Sequence, residues 1–216
     1  PHSTTHSIMK ERQIQGAFSY MNRGPETNVI KLIFGLGNPG EEYGATYHNA
    51  GFLALDWIIR EEGATTSWRH HKLYDEARLE NFVLAKPRSF MNESGNAVRE
   101  ALKTLSLSPA ALLIVHDDSD LAQGEARFSF GRSAAGHRGV QSVIDHLGTS
   151  DFWRLRLGIR PKEDARKKSP SSLGLRRARA GDFVLQPMND IERTALYGAL
   201  AGAIVKLTEN VTPSGV

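Results

Sequence analysis

The sequence predicts an α/β fold in which helices pack on a mostly central β-sheet. Two short runs, residues 30–36 and 112–115, are apolar, β-prone and bounded by glycine or proline, as buried strands are. Segments with apolar residues at helical spacing alternate with such runs, among them residues 49–62 and the segment that begins near residue 190. This alternation of strands and helices is typical of α/β proteins. A chain of 216 residues is long enough for one sizeable core.

The first elements follow from local patterns. Residues 1–28 contain few large apolar side chains and no sustained period, so we expect them to form a disordered extension. The first strand, at residues 30–36, leads into a turn at residues 37–40, whose glycines and proline suit a tight change of direction. The helix at residues 49–62 is expected to begin at Asn49, because asparagine is a good N-cap residue.

The remaining elements complete one expected domain over residues 29–210. Alternating residues at 152–159 predict a half-exposed strand with Arg154 and Arg156 on one face. The other expected elements are strands at 75–79, 82–85 and 112–115, a helix through 98–105, an edge strand at 126–130, a flexible loop at 131–139 with a short helix after it, and a final helix from about residue 190.

Composition excludes some classes of protein. The chain has no cysteine, which excludes disulfides and thiolate metal sites and suits a reducing compartment, so we expect a cytoplasmic protein. No apolar run approaches the ~20 residues that a membrane span needs. The formal net charge is only +3, yet ten Lys or Arg residues lie between Arg154 and Arg179 against two acids. The basic loop at residues 161–181 therefore suggests a phosphate-rich partner, with a solvated surface loop as the alternative.

Three clusters of candidate site residues, most of them polar, follow predicted strands. They are Asn38 with His48, Met91 with Asn92, and Asp117. Because ligands usually bind where the strands of α/β sheets end, we expect these side chains to meet. A neutral imidazole can deprotonate water, a carboxylate can orient that imidazole, and carboxamides can hold a peptide-like substrate. Without a cysteine or a G-x-S-x-G serine, the pattern favours a hydrolase in which water attacks, although such residues also serve as turn caps.

A dinucleotide site is the first alternative. Gly35, Gly37 and Gly40 match the G-x-G-x-x-G pattern of dinucleotide-binding proteins. That pattern requires a helix to open at the third glycine, whereas here Pro39 stiffens the loop and the helix begins later. The expected acidic residue would be Asp56, which lies inside a helix, so the context does not match.

A metal site is the second alternative. His116, Asp117, Asp118 and Asp120 are consecutive or nearly so, and imidazole and carboxylate groups bind divalent cations. The cluster has no recognised ligand spacing, and acids after a strand are commonly turn residues. We therefore expect no metal in the site.

Several stretches together resemble the bacterial-type peptidyl-tRNA hydrolase family. They occur in the family's order between about residues 30 and 185, and six matches in register are far more specific than any one alone. The stretches are KLIFGLGNPG at 31–40, the segment 43–51 ending in TYHNAG, FMNESG at 90–95, VHDDSDL at 115–121, GHRG at 136–139 and FWRLRLGI at 152–159.

The resemblance implies a single-domain, three-layer α/β/α sandwich around a mixed, mostly parallel central sheet. It implies a monomer that hydrolyses the ester between the peptide and the 3′ ribose of peptidyl-tRNA, without a metal or cofactor. Carried over by residue, His48 is the base that activates water and Asp117 orients it. The implied substrate-binding residues are Asn38, Tyr43, Met91, Asn92 and Arg138; Arg127 and Arg156 are the implied tRNA phosphate contacts, and His137 falls in a mobile loop beside the channel.

Three features depart from the family pattern. Arg138 stands where the family usually has asparagine, and a guanidinium donates hydrogen bonds but cannot accept them. Residues 132–135 replace a glycine-rich lead-in, which should stiffen the loop. The basic loop at residues 161–181 looks longer than usual and is expected to add a tRNA contact.

A non-catalytic RNA-binding relative with the same fold is the competing hypothesis. Arg138 is the one feature that favours it. The enzyme is favoured by the joint presence of His48, Asp117, Asn38 and Asn92.

Overall fold

A computed structural model of the chain describes residues 30–61, 66–80, 82–161 and 183–209. The predictions for residues 1–28 and for nearly all of the basic loop lie outside the described residues. The strands are β1 (Leu32–Gly35), β2 (Arg69–His70), β3 (Tyr74–Arg78), β4 (Val83–Pro87), β5 (Leu112–Ala122), β6 (Ala126–Phe130) and β7 (Trp153–Arg160). The α-helices are α1 (Ala50–Glu61), α2 (Ser94–Thr104), α3 (Arg138–Leu147) and α4 (Asp190–Glu209).

The strands form a mixed sheet in the order β2-β3-β4-β1-β5-β7-β6. The four central strands are parallel to one another, because β1 pairs in parallel with both β4 and β5, and β5 pairs in parallel with β7. The outer strands β2, β3 and β6 pair antiparallel with their neighbours. Strand β6 is at the edge, as its alternating sequence predicts.

Two helices cover each face of the sheet. Apolar side chains of α1 and α4 pack with one face, where Ile33 and Val115 are buried. Side chains of α2 and α3 pack with the other, where Phe34 and Ile114 are buried. Alternate residues of β1 and β5 thus point to opposite cores, as the pleat of a strand requires. The expected α/β/α sandwich is confirmed. In the described part of the chain, we find no helix with the length and apolarity to span a membrane.

Two local predictions about strands are wrong. Strand β5 does not end at Val115 but continues to Ala122, because β7 extends beyond β1 and keeps pairing with β5 through Asp118. The polar residues from His116 onward therefore lie within a strand, along the side that β1 has left open. Strand β7 is also not half-exposed, since Arg154 on it is only 2% accessible.

The predicted N-cap is wrong as well. Asn49 belongs to a short 3₁₀ helix, Tyr47–Asn49, that precedes α1. Its side chain turns back to the loop after β1, where Oδ1 accepts from the Asn38 N–H (2.8 Å) and Nδ2 donates to the Asn38 carbonyl (2.9 Å). A pair of bonds to a buried backbone satisfies more polar groups than one cap would, and it ties the loop to the start of α1.

Close packing of α1 on the end of β1 sets the position of His48. A side chain on Gly51 would overlap the Val115 carbonyl and the backbone of Leu36, and one on Gly35 would come within 2.6 Å of the Gly51 carbonyl oxygen. Only glycine allows so close an approach. The residues just before α1 are thereby brought against β5.

Candidate active site

His48 and Asp117 meet beside the open side of β5. The two residues are 69 positions apart in sequence, yet His48 Nδ1 lies 2.9 Å from Asp117 Oδ1. The side chain of His48 is 13% exposed and that of Asp117 is 3% exposed. The backbone N–H of His48 also donates to the Val184 carbonyl (2.8 Å), which fixes the backbone of the histidine.

A second imidazole contacts the same carboxylate oxygen. His137, just before α3, places Nε2 2.9 Å from Asp117 Oδ1. Its ring lies 4.9 Å from that of His48, centroid to centroid. Burial of Asp117 opposes its ionisation, but His137 and His48 outweigh burial and hold the pKa of its carboxyl well below the usual range. An ionised carboxylate only accepts hydrogen bonds, so both nitrogens that face it carry protons.

The tautomer of His48 follows from this contact. With its proton on Nδ1, a neutral His48 has its lone pair on Nε2. Burial of the ring opposes protonation, but the Asp117 charge and hydrogen bond together outweigh burial, so the pKa of His48 is raised above 6.5. The positive charge of Arg138 acts in the opposite direction and lowers it. His48 is thus a base whose strength is set by burial, by the negative charge of Asp117 and by the positive charge of Arg138.

His116 supports the cluster from inside the sheet. Its Nδ1 lies 2.6 Å from the Asp117 carbonyl, and its ring contacts His137 edge-on at 4.7 Å. Burial, with His137 adding to it, lowers the pKa of His116 well below 6.5. The ring is therefore neutral and donates from Nδ1 to the carbonyl.

The carboxamide of Asn38 is held next to this cluster. Asn38 is buried, and its Oδ1 accepts from the backbone N–H of Met91 (2.8 Å). Since the oxygen is used in this way, the amide Nδ2 is the group that can donate to a bound molecule. Met91 in turn packs against the first turn of α3, where a side chain on Gly139 would overlap its sulfur.

A single cleft is lined by eight of the nine residues predicted for the site: Asn38, His48, Met91, Asn92, Asp117, Arg127, Arg138 and Arg156. Tyr43 is not among the described residues that line it. Its ring instead packs edge-on against Phe90, 6.3 Å away, and Phe90 lines the cleft while being 53% exposed. In this structure Tyr43 is connected to the cleft through Phe90, and its role in substrate binding stays a prediction.

Two arginines predicted for the site, on β6 and β7, also line the cleft. Arg127 and Arg156 are opposite each other in the pairing of β6 with β7. Arg127 pairs with Glu125 (3.1 Å), and Arg156 Nε donates to Asp118 Oδ2 (2.6 Å). The bond through Nε fixes the direction of the Arg156 guanidinium and leaves its Nη groups as further donors, whereas Arg127 uses one Nη group for Glu125.

Arg154 differs from its neighbour Arg156. Its guanidinium donates to the carbonyls of Ser133 (2.7 Å) and Arg132. Burial and the nearby Arg156 lower the pKa of Arg154 to about 10. Arg154 therefore stabilises the loop before α3, although it is also among the residues that line the cleft.

The described residues contain one group of side chains whose spacing could suit a metal ion: His48, Asp117 and His137, with ligand atoms within 4.8 Å of one another. This group differs from the metal site considered from the sequence, which consisted of residues 116–118 and 120. Asp118 of that cluster pairs with Arg156 instead. A metal would require both imidazoles to give up the protons that they donate to Asp117, because a metal binds the nitrogen lone pair. The arrangement fits proton transfer better than metal binding.

A family model described as peptidyl-tRNA hydrolase matches residues 32–215. The chain belongs to the peptidyl-tRNA hydrolase family. The peptidyl-tRNA hydrolase of Cupriavidus necator is 41% identical over 183 residues, which are 83% of this chain and 90% of that protein. That of Cupriavidus pinatubonensis is 40% identical over 180 residues, or 82% and 88% of the two chains.

Solved structures of peptidyl-tRNA hydrolases are also similar. A crystal structure of the Acinetobacter baumannii enzyme is 28% identical, with a TM-score of 0.68 over 87% of this chain and 92% of that one. An arginine-to-glutamine variant from the same organism is 30% identical, with a TM-score of 0.70 over 86% and 90%.

Three residues near the peptidyl-tRNA hydrolase cleft have contacts that the sequence did not reveal. Asn49 holds the Asn38 backbone, His137 shares Asp117 with His48, and Arg154 stabilises the loop before α3. All three lie within the stretches that carry the family resemblance, and that resemblance is the only feature of the sequence that could have drawn attention to them. The partner of each is between 11 and 22 residues away, so no local pattern could identify it.

Proposed function

We propose that this protein hydrolyses the ester that joins the peptide to the 3′ ribose of tRNA, with His48 as the general base. The observation that carries the proposal is the 2.9 Å contact between His48 Nδ1 and Asp117 Oδ1 within the cleft. This contact leaves the Nε2 lone pair of His48 to accept a proton from water. Ordered donors and a base in one cleft are the requirements of ester hydrolysis.

The proton moves twice in this scheme. His48 Nε2 takes a proton as water oxygen bonds to the ester carbonyl carbon, and the carbonyl oxygen becomes an oxyanion. The Asp117 carboxylate stabilises the imidazolium that forms, because opposite charges in a buried site attract strongly. The bond to the ribose 3′ oxygen then breaks, that oxygen takes the proton from His48, and the peptide leaves as a carboxylic acid that ionises in water.

The asparagines suit the rest of the substrate near the ester. The amide group of Asn38 is the free donor of a carboxamide whose oxygen is already bonded, and Asn92 is exposed in the same cleft. Such donors can stabilise an oxyanion or hold a peptide backbone without selecting its side chains. Met91 and Phe90 provide apolar surface for the peptide portion.

The arginines that line the cleft suit the RNA portion. Arg127 and Arg156 present guanidinium groups that can bind phosphate, while tRNA phosphates carry no sequence information to be read. A non-catalytic RNA binder would need only these arginines, so the ordered His48–Asp117 pair supports the enzyme over that alternative.

Incubation of the purified protein with a peptidyl-tRNA tests the proposal. We expect free peptide and intact tRNA to appear together, with repeated turnover of the enzyme. Retention of the substrate without release of peptide would identify a binder and contradict hydrolysis. The proposal includes the sequence expectations of a cytoplasmic monomer that acts without a metal or cofactor, and sedimentation tests the monomer directly.

Replacing Arg156 with alanine is expected to weaken tRNA binding and to lower the slope of log Kd against log salt by about 1, as the loss of one phosphate contact should. Titrations of tRNA at several salt concentrations measure this slope. Arg99→Ala, on the exposed side of α2, is the matched control.

Removal of Arg156 also leaves Asp118 without its ion-pair partner. The unpaired charge of Asp118 would repel phosphate, and this effect adds to the loss of the Arg156 contact. The double variant Asp118→Asn/Arg156→Ala separates the two effects, because it lacks the Arg156 contact but has no charge at position 118. Its affinity should partly recover while its salt slope remains low. An unchanged slope in both variants would show that Arg156 does not bind phosphate.

Replacing Arg138 with asparagine is expected to keep hydrolysis at high pH and to move the acidic limb of the pH–rate profile to higher pH. His48 must be neutral to act as a base, and Arg138 lowers the pKa of His48. Loss of the positive charge therefore raises that pKa, so a higher pH is needed for the active form. Profiles of kcat/KM at low ionic strength measure the shift, with Arg99→Asn as control.

Salt provides an internal check on the Arg138 effect. Arg138 is exposed, so about 1 M salt, with a Debye length near 3 Å, should largely abolish the difference between the two profiles. A collapse of activity at all pH values would show instead that Arg138 is part of substrate binding.

A further inference from the structure

His137 makes two hydrogen bonds with opposite roles. Its Nε2 lies 2.9 Å from Asp117 Oδ1, and its Nδ1 accepts from the backbone N–H of Val140 (3.2 Å). The second bond makes His137 the N-cap of α3. The side chain is only 9% exposed, so its ring has little freedom to adopt another arrangement.

The cap determines which nitrogen of His137 carries the proton. A nitrogen that accepts from a backbone N–H must have a free lone pair, and the proton of the neutral ring then lies on the other nitrogen. Nδ1 accepts, so Nε2 donates, and Asp117 is the acceptor that it meets. An imidazolium would have a proton on Nδ1 and could not accept from Val140.

We propose that His137 is a positioning residue for hydrolysis, which caps α3 through Nδ1 and holds the Asp117 carboxylate in place for His48 through Nε2. Two donors on one oxygen restrict rotation of the carboxylate about its χ2 bond. Because the Asp117 carboxylate has a fixed orientation, it also fixes the orientation of the His48 ring. The Nε2 atom of His48 then keeps a constant direction toward the cleft. The proposal rests on the proposed function, because its effect is measured on the rate of hydrolysis.

The chain geometry connects this contact with the substrate cleft. His137 is followed directly by Arg138 and Gly139, the first residues of α3, and Gly139 packs against Met91. The loop that leads to His137 is held by Arg154 through the carbonyls of Ser133 and Arg132. The N-terminus of α3 is thereby fixed on one side to the sheet and on the other to the apolar wall of the cleft.

Two substitutions can separate the two hydrogen bonds. The amide oxygen of an asparagine side chain can take the place of Nδ1, so His137→Asn keeps the cap and loses the donor to Asp117. The longer glutamine side chain can place its amide nitrogen near the position of Nε2, so His137→Gln keeps the donor, while glutamine is not a favoured N-cap residue. His70→Asn is the matched control, because His70 contacts Asp75 at 2.8 Å in a separate, exposed His–Asp pair.

We expect His137→Asn to melt at the wild-type temperature yet to lose kcat roughly 10- to 100-fold, the usual effect of disturbing a residue that orients a reacting group. Its KM should stay within about twofold of the wild-type value, since the substrate contacts remain. His137→Gln should melt at a lower temperature and keep most of kcat. The control should keep both kcat and KM.

Loss of kcat in both variants, or in neither, would overturn the proposal, as would a kcat that follows the melting temperature across the pair. A purely structural role predicts this last result, because only the cap would then matter. Absence of hydrolysis by the wild-type protein would instead reject the proposed function. Nitrogen-15 NMR of labelled histidine tests the tautomer without any activity: a proton on Nδ1 of His137 would also overturn the proposal.

Discussion

The His48→Ala protein is expected to release peptide from peptidyl-tRNA with kcat/KM lowered by about 10²- to 10⁴-fold, the usual contribution of a general base. Its affinity for tRNA should be unchanged, because the proposed phosphate contacts are made by Arg127 and Arg156, which this substitution leaves in place. Initial rates of peptide release and equilibrium tRNA binding measure the two quantities separately. A selective loss of rate is the result that assigns chemistry rather than binding to His48.

His48→Asn sharpens this test. Its amide nitrogen can replace Nδ1 as the donor to Asp117, but it has no basic nitrogen at the position of Nε2. We therefore expect it to be as inactive as the alanine variant, although the buried contact is retained. His70→Ala controls for the loss of an imidazole elsewhere on the protein. Wild-type rates for the His48 variants would show that another group activates water.

The fold could be predicted from sequence because its signals are local. The buried strand that contains Ile114 is apolar at consecutive positions, and α1 has apolar residues at helical spacing. The end of β5 could not be predicted in this way. His116 and Asp117 continue the strand because β7 pairs with them across a separation of 40 residues, and no property of the two residues themselves indicates it.

The members of the site could be predicted from polar residues after strands, but their contacts could not. Asn49 is a good N-cap residue, yet its side chain bonds to the Asn38 backbone. Arg154 and Arg156 are two positions apart on one strand and both line the cleft, yet the guanidinium of Arg154 binds loop carbonyls and that of Arg156 pairs with Asp118. In each case a long-range partner decided between two arrangements that are equally consistent with the local sequence.

Asp117→Asn is expected to lower kcat by about 10²- to 10⁴-fold, similar to the loss of the orienting carboxylate in other His–Asp pairs. The amide has no charge to stabilise the imidazolium of His48. Two orientations of the amide are possible: its oxygen accepts from His48, which keeps the tautomer, or its NH₂ group faces the ring and forces the proton to Nε2, which removes the base. Both orientations reduce the rate, so the direction of the effect does not depend on which one forms.

The pH profile of Asp117→Asn distinguishes this explanation from simple disruption of the site. Asp117 raises the pKa of His48, whereas burial lowers it. Loss of the carboxylate leaves burial unopposed, so the remaining activity should have its acidic limb at lower pH than in the wild type, opposite to the shift expected for Arg138→Asn. The melting temperature should fall, because His137 and His48 stabilise the Asp117 carboxylate by more than its burial costs, and the amide has no charge to be stabilised in this way. Asp75→Asn, in the exposed His70 pair, should change neither quantity. An acidic limb that stays in place would mean that Asp117 does not set the basicity of His48, even if the rate is low.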